Sequence, residues 1–397
     1  MTILIQSLLI IIPIIGLIAG LSLSFTIPLF LLACLYRIKD QAIFSIKHSK
    51  IEVCFIIWLA LSCFWSIDIL NSMFSFLKTF SVAIVVYILI SNKDALIPKI
   101  SLSTFSLFTA IFASIALFYF EYYSNGYISS SFREIVQKKS DTSFYLHYLD
   151  RGCTLLALFA WFVIAVLIKN YKNILAVIIY IVTTYTLYLS DSLASFVGFA
   201  LSGLVFITTR YWPFNNPRIL SAILIICSVL FISGIYAMQP RELSDNQAKS
   251  LPISAKHRLF IWDFAFEKFA NRPFVGYGFN SSRKIKLAEE DFIEYENLKL
   301  SPLPLHPHNN LLQIMLETGI IGFILYLSLA AKYLNSWNLC FKRAITPNIL
   351  NIRAAGYACF STFFIISMIS FNMWQSWWLC CYLWIATLFC LLISDKD

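Results

Sequence analysis

The chain alternates long apolar runs with short polar breaks, and the runs have the length of a bilayer. A hydrocarbon layer about 30 Å thick needs roughly 20 apolar residues per helix. Twelve stretches approach that length: 3–20, 22–36, 52–66, 74–91, 100–119, 152–168, 173–189, 192–209, 219–238, 310–331, 354–371 and 375–394. By that measure about 240 residues lie in lipid. The pattern predicts an all-α polytopic membrane protein of about twelve transmembrane helices. Residues 1–238 hold nine of them, with a loop at about 121–150; residues 239–308 form a long polar loop; residues 309–397 hold the last three.

Composition sharpens this reading. Hydrophobic residues make up 59% and charged residues only 13%, against about 25% charged in soluble domains. An aromatic content of 17% excludes disorder. The first twenty residues lack a basic leader region and a small-residue cleavage site, so they read as a retained first span.

The net charge of +9 would point a soluble chain toward nucleic acid, but here it marks topology. Alternate connections carry Arg37, Lys39, Lys47 and Lys50; Lys93 and Lys99; Lys169 and Lys172; Arg210 and Arg218; and Lys332, Lys342, Arg343 and Arg353. The short connections of the other set, near 67–73, 190 and 372–374, carry no basic residue. The positive-inside rule then places the first set and both termini in the cytoplasm. The segments 121–150 and 239–308 face outward, since long loops translocate largely regardless of charge. Ten cysteines lie in or beside apolar runs and form neither a disulfide framework nor a metal motif. They read as small packing residues.

Polar chemistry gathers on the expected outer face. Of five histidines, His48 is cytoplasmic, while His147, His257, His306 and His308 are outside. Pro307 breaks any helix before it, and His308, Asn309 or Asn310 can cap the tenth span. That helix end would attract an anion; His308 could equally be an interfacial cap. Residues 254–283 read as an amphipathic helix along the interface, with Leu259, Trp262, Phe266 and Phe269 at helical spacing, then a turn at Gly276 and Gly278. Arg258 lies in its first turn and is either functional or solvated. Arg151-Gly152 opens the sixth span, where an arginine commonly snorkels. Ser190-Asp191-Ser192 joins the seventh and eighth spans and either caps the eighth or does chemistry. Lys78 and Glu317 lie well inside spans and are functional candidates on that ground. Glu317 is too far along the helix to share a proton with His308; it is expected to bond within the bundle beside Gly319 and Gly322. His306 and His308 alone are too few ligands for a metal site.

These residues form a recognisable set: His308-Asn309-x-Leu311, then Glu317-x-Gly319 and Gly322; upstream, Arg258, Ile261-Trp262 and Pro273-x-x-Gly276-x-Gly278; and Arg151-Gly152. In these motifs, which span about residues 150–325, the chain resembles the O-antigen ligase family. One position departs: many members carry Ser-Arg where this chain has Ser192-Leu193.

The resemblance implies a GT-C-like glycosyltransferase of the bacterial inner membrane, working on the periplasmic side without cofactor or metal. The donor would be a polysaccharide on undecaprenyl diphosphate and the acceptor a lipid A–core hydroxyl, with membrane lipids as further partners and no nucleic acid. His308 would be the general base, since neutral imidazole suits that task. Arg258 and Arg151 would hold the diphosphate, as guanidinium binds phosphate oxygens bidentately. Asn309, Asp191, Ser192 and Arg283 would bind substrate, and Arg283, or Lys138 and Lys139, would aid Arg151 and Arg258 in place of the missing arginine. Direct displacement would invert the anomeric centre. A polymerase using the same donor is the near alternative. A lipid-linked glycan transporter is the distant one, opposed by the scarcity of polar midplane groups.

Overall fold

The computed structural model describes residues 2–40, 50–97, 103–136, 138, 143–211, 216–238, 253–295, 298–339 and 346–393. His48, Lys47, Lys99, Lys139, Lys342, Arg343, Cys340 and residues 239–252 lie outside that set.

Over its described residues, each of the twelve apolar runs contains a helix. In chain order the helices are α1 (Thr2–Ile18), α2 (Leu23–Arg37), α3 (Lys50–Ser62), α4 (Ile69–Ser91), α5 (Lys93–Leu96), α6 (Thr104–Tyr123), α7 (Tyr127–Ile135), α8 (Asp150–Lys169), α9 (Asn173–Leu189), α10 (Leu193–Tyr211), α11 (Pro217–Met238), α12 (Ile253–Asn271), α13 (Asn310–Leu339), α14 (Pro347–Ile369) and α15 (Ser376–Leu392). Among the described residues, eight segments are long and apolar enough to cross a bilayer, containing α2, α4, α6, α8, α10, α11, α13 and α14. Helices α1, α9 and α15 are apolar but shorter, and α3 has 13 residues. The chain is a multi-pass membrane protein.

Helix α8 is the axis of the bundle. It is apolar on all sides, and a helix of that kind is stable only when surrounded. Seventeen of its residues, from Gly152 to Ile168, are buried, with α1, α6, α9, α14 and α15 packed around them. Its entry is set by two glycines. A Cβ on Gly152 would lie 2.2 Å from the Leu17 Cα, and one on Gly20 would lie 2.5 Å from the Arg151 Cβ. Their absence lets the start of α8 seat against the end of α1 and leaves room for the stem of Arg151. Among the described residues the nine cysteines are all free, and most are buried.

The two ends of the bundle differ in chemistry. At one end Lys169 donates to the Leu392 carbonyl at 2.8 Å, Arg210 donates to Asn351, Arg353 donates to Asn338 at 3.0 Å and Lys332 pairs with Glu52 at 2.6 Å. At the other end stand the starts of α8, α10 and α13 and the close of α14.

Between α11 and α13 the described part of the long loop is ordered around one carboxylate. Helix α12 packs on both α11 and α13, with Trp262 edge-on to Phe231 and Phe266 beside Tyr236. The following turn is held by Glu317, which is fully buried. Its carboxylate accepts from the Asn280 N–H at 2.9 Å, the Ser282 N–H at 3.3 Å, the Ser282 hydroxyl, the Gln313 amide at 3.1 Å and the Trp374 indole at 2.6 Å. Glu317 thus bonds within the bundle, as its place in the chain leads one to expect.

The same turn runs across a break in α13. Gly319 has φ 69° and ψ −173°, a conformation that glycine alone adopts readily. The break lets the Ile320 N–H donate to the Pro273 carbonyl at 2.8 Å, while Tyr277 and Gly278 donate to the carbonyls of Leu316 and Glu317. A short antiparallel hairpin, β1 (Ile293–Tyr295) with β2 (Leu298–Leu300), closes the loop and was not legible in the sequence.

Candidate active site

His308 stands at the junction of the loop and α13 with a left-handed φ of 52°. Several neighbours hold it there. The Trp262 indole donates to the Pro307 carbonyl at 3.0 Å. The buried His306 accepts the His308 backbone N–H on Nδ1 at 3.1 Å, and the two rings lie 4.1 Å apart. Asn309 is the N-cap of α13: its Oδ1 accepts from the Leu312 N–H at 3.0 Å while its Nδ2 donates to the Met368 carbonyl at 3.1 Å. Both ends of that amide are engaged on backbone, and Asn309 is fully buried.

The imidazole itself is fixed by α14. His308 Nδ1 lies 2.7 Å from the Ser370 carbonyl. A carbonyl only accepts, so Nδ1 carries the proton and Nε2 holds the lone pair. Burial holds the imidazole below its ordinary value of 6.5; the Ser370 hydrogen bond opposes this, and Arg258 and His257 add to the lowering. His306 is pushed down further, to about 3, by burial first and then by His308 and Arg283. Both rings are therefore neutral at pH 7.

Arg258 lies one helical turn before Trp262 on α12, so the same face that grips Pro307 carries the guanidinium toward His308. It is half-buried and interacts electrostatically with Asp150. Asp150 opens α8 beside Arg151 and lies among Ser192, Asp191, Arg151 and Arg258. One of its carboxylate oxygens, Oδ1, is buried without a hydrogen-bond partner. Ser192 is buried, and its hydroxyl donates to Ser195 at 3.0 Å. Asp191 is exposed at φ 58°. Leu193, where the family pattern has arginine, is 65% exposed.

Six expected residues thus converge as Arg151, Asp191, Ser192, Arg258 and His308, with Arg283 adjoining through His306, while Asn309 lies behind them in the protein. Asp150 was not singled out in the sequence. The available signal was a carboxylate at the first position of a strongly apolar run.

Arg151 lines two cavities. The larger, about 640 Å³, is walled by α7, the residues before α8 and the link between α1 and α2, and includes Arg133, His147, Tyr148 and Asp150. Arg133 forms part of its roof, donating to the Ser143 carbonyl at 2.8 Å and stacking over Tyr148. The smaller, about 270 Å³, lies between α4, α15 and the 280–283 turn and includes Arg283. Among the described residues no group of three His, Cys, Asp or Glu could hold a metal.

The bundle of apolar helices thus gathers histidine, arginines and carboxylates at one of its ends. Residues 175–327 match the O-antigen ligase family. The chain is 40% identical to a Rickettsia typhi protein named a "putative polysaccharide ligase", over 98% of each chain. Proteins bearing the same description in Rickettsia felis and Rickettsia prowazekii are 38% and 37% identical, again over 98% of each chain. The chain belongs to the O-antigen ligase family.

Proposed function

We propose that this protein is a polysaccharide ligase that moves a glycan from undecaprenyl diphosphate to a lipid A–core hydroxyl. The observation that carries the reading is the tautomer of His308: with Nδ1 committed to Ser370, Nε2 is a proton acceptor in a half-buried site beside a guanidinium. The family membership and the description of the rickettsial relatives support the reaction class.

In this mechanism Nε2 of His308 takes the proton of the acceptor hydroxyl as its oxygen attacks the anomeric carbon. The bond from that carbon to the phosphate oxygen breaks, and its electron pair leaves on the diphosphate. Arg258 and Arg151 neutralise the charge that develops there. The products are the new glycoside with inverted configuration, undecaprenyl diphosphate and a protonated His308. Asp150 interacts electrostatically with both guanidiniums, and Asp191 and Ser192 line the same end. Asn309 acts through His308, as a positioning residue. The site faces the periplasm across the inner membrane, with both termini cytoplasmic and the apolar helices crossing twelve times. The separation of Lys169, Arg210, Lys332 and Arg353 from the site end supports this orientation.

The test uses purified protein with undecaprenyl-diphosphate-linked O-antigen, with and without lipid A–core, and His308→Ala alongside. Glycan on lipid A–core, lost in the variant, is the expected result. Longer lipid-linked glycan formed without the core acceptor would make the protein a polymerase instead.

A further inference from the structure

The wall of the larger cavity holds three polar atoms without a partner. Ser22 Oγ, Ser129 Oγ and Asp150 Oδ1 are buried and form no hydrogen bond. They come from three places in the chain: the link between α1 and α2, helix α7 and the first residue of α8. Buried polar atoms are nearly always satisfied, so three orphans on one cavity call for a ligand. Their chemistry names its class. A carboxylate oxygen only accepts, so its partner must donate, while a serine hydroxyl takes either role. The oxygens of a phosphate would leave Asp150 unanswered, whereas the hydroxyls of a sugar answer all three. Phe132, Tyr148 and Phe371 line the same space and offer apolar surface to a sugar ring.

Arg133 adds a charge. It is only 9% exposed and forms no ion pair among the described residues. Asp150, the one carboxylate in the cavity wall, does not answer it: the charges that act on Asp150 are Asp191, Arg151 and Arg258. A buried cation without a counter-charge is costly until an anion arrives. Helix α7, which carries Arg133, also has its faces reversed. Ser129 and Arg133, one turn apart, are buried, while Tyr127 and Ile135 are 68% and 75% exposed. A helix that is polar inward and apolar outward suits a roof between a polar cavity and lipid. Such a roof fits a ligand whose polar head enters while its lipid stays outside.

We propose that this cavity binds the accepting sugar of the glycolipid, and that this sugar is acidic: its hydroxyls meet Ser22, Ser129 and Asp150, and its carboxylate or phosphate meets Arg133. Phe371 follows Ser370, whose carbonyl holds His308, which places the cavity next to the base. The inference deepens the reading above and rests on its glycolipid acceptor. Ser129 and Arg133 then set which acceptor is used and take no part in the bond exchange.

The experiment titrates lipid A–core into the full-length protein in detergent, without donor, and reads binding directly. Wild type should bind, and Arg133→Gln should weaken binding about tenfold or more. Ser129→Ala should weaken it severalfold without lowering the melting temperature, because the hydroxyl it removes has no partner in the protein. Lys286→Gln, an exposed cation outside the cavity, should bind as wild type. A thermal melt of each variant separates lost binding from lost fold. Lipid A–core with its carboxyls reduced and its phosphates removed should bind wild type as weakly as intact core binds Arg133→Gln, and each treatment applied alone shows which anion Arg133 meets. Wild-type affinity in both Arg133→Gln and Ser129→Ala overturns the assignment, as does undiminished binding of the neutralised core. Binding of undecaprenyl-diphosphate-linked O-antigen that the same two variants weaken instead gives the cavity to the donor glycan and overturns it too. No binding of lipid A–core by folded wild type also overturns the proposal. Binding as expected without any transfer when donor is added supports the cavity assignment and overturns the ligase reading.

Discussion

The ring of His308 takes its orientation from a backbone carbonyl sixty-two residues further on, with Nδ1 donating to Ser370 across 2.7 Å. A carbonyl cannot titrate, so the tautomer that leaves Nε2 free holds at every pH at which the ring is neutral. His308→Ala should lower turnover by about 10²–10⁴ with little effect on the melting temperature. Glycan transfer to lipid A–core by the purified variant is the measurement, and near-normal turnover would remove His308 from the role of base.

The pH dependence follows from the same ring. A base must be neutral, and burial with Arg258 and His257 holds His308 below 6.5. Activity should therefore persist through pH 6.5 and fall only at lower pH. Arg258→Met removes one of the lowering influences, so the acid limb should move to higher pH while kcat/KM drops by about 10² or more. A pH–rate profile in which the limb stays in place would separate Arg258 from His308.

His306 should mark stability where His308 marks rate. Its folded value of about 3 lies below the ordinary 6.5. Between these values the unfolded chain binds a proton that the folded chain refuses. Stability should thus fall as pH drops from about 6.5 toward 3, by up to about 1.4 kcal/mol per pH unit. His306→Asn keeps an acceptor within reach of the His308 N–H and cannot titrate. Thermal melts in detergent from pH 4 to 7 should show a shallower slope for the variant.

Glu317→Gln tests the anchor of the loop. The carboxylate answers five donor groups. A glutamine amide would turn two further donors on them, at a cost of about 3 kcal/mol. The variant should melt lower and lose turnover together, because Asn280 and Trp374 border the cavity that holds Arg283. A variant as stable as wild type would mean that the turn is held elsewhere.

Gly319→Ala should be more severe than an ordinary helix substitution. A Cβ there would lie 2.1 Å from the Phe274 carbonyl oxygen, in a backbone region that costs about 1–3 kcal/mol for any other residue. Limited proteolysis should open the 272–283 segment first. Resistance equal to wild type would show that the break in α13 can close without harm.

The helices were largely legible because lipid demands long apolar runs, and each of the twelve runs contains a helix over its described residues. Their ends were not. The fourth span read as starting at residue 74, yet α4 begins at Ile69, because Asn71, Ser72 and Ser75 lower the hydropathy while facing inward. The Glu317, Gly319 and Gly276 pattern was visible as residues, and the structure supplies its reason in one backbone crossing. Asp150 escaped notice because Ser192 and Arg258 reach it from distant helices. The partner of His308 had no side-chain signature at all, since a carbonyl at Ser370 is the same atom in every residue.

That carbonyl also bears on how the protein could be divided. The match to the family covers residues 175–327, but Ser370 orients the imidazole from α14, and Asp150 and Arg151 come from the start of α8. A chimera that transplanted residues 175–327 into an unrelated membrane scaffold would carry the histidine without its tautomer and one arginine without the other. A graft that preserves the junction must therefore carry the start of α8 and the close of α14 together with the loop they hold.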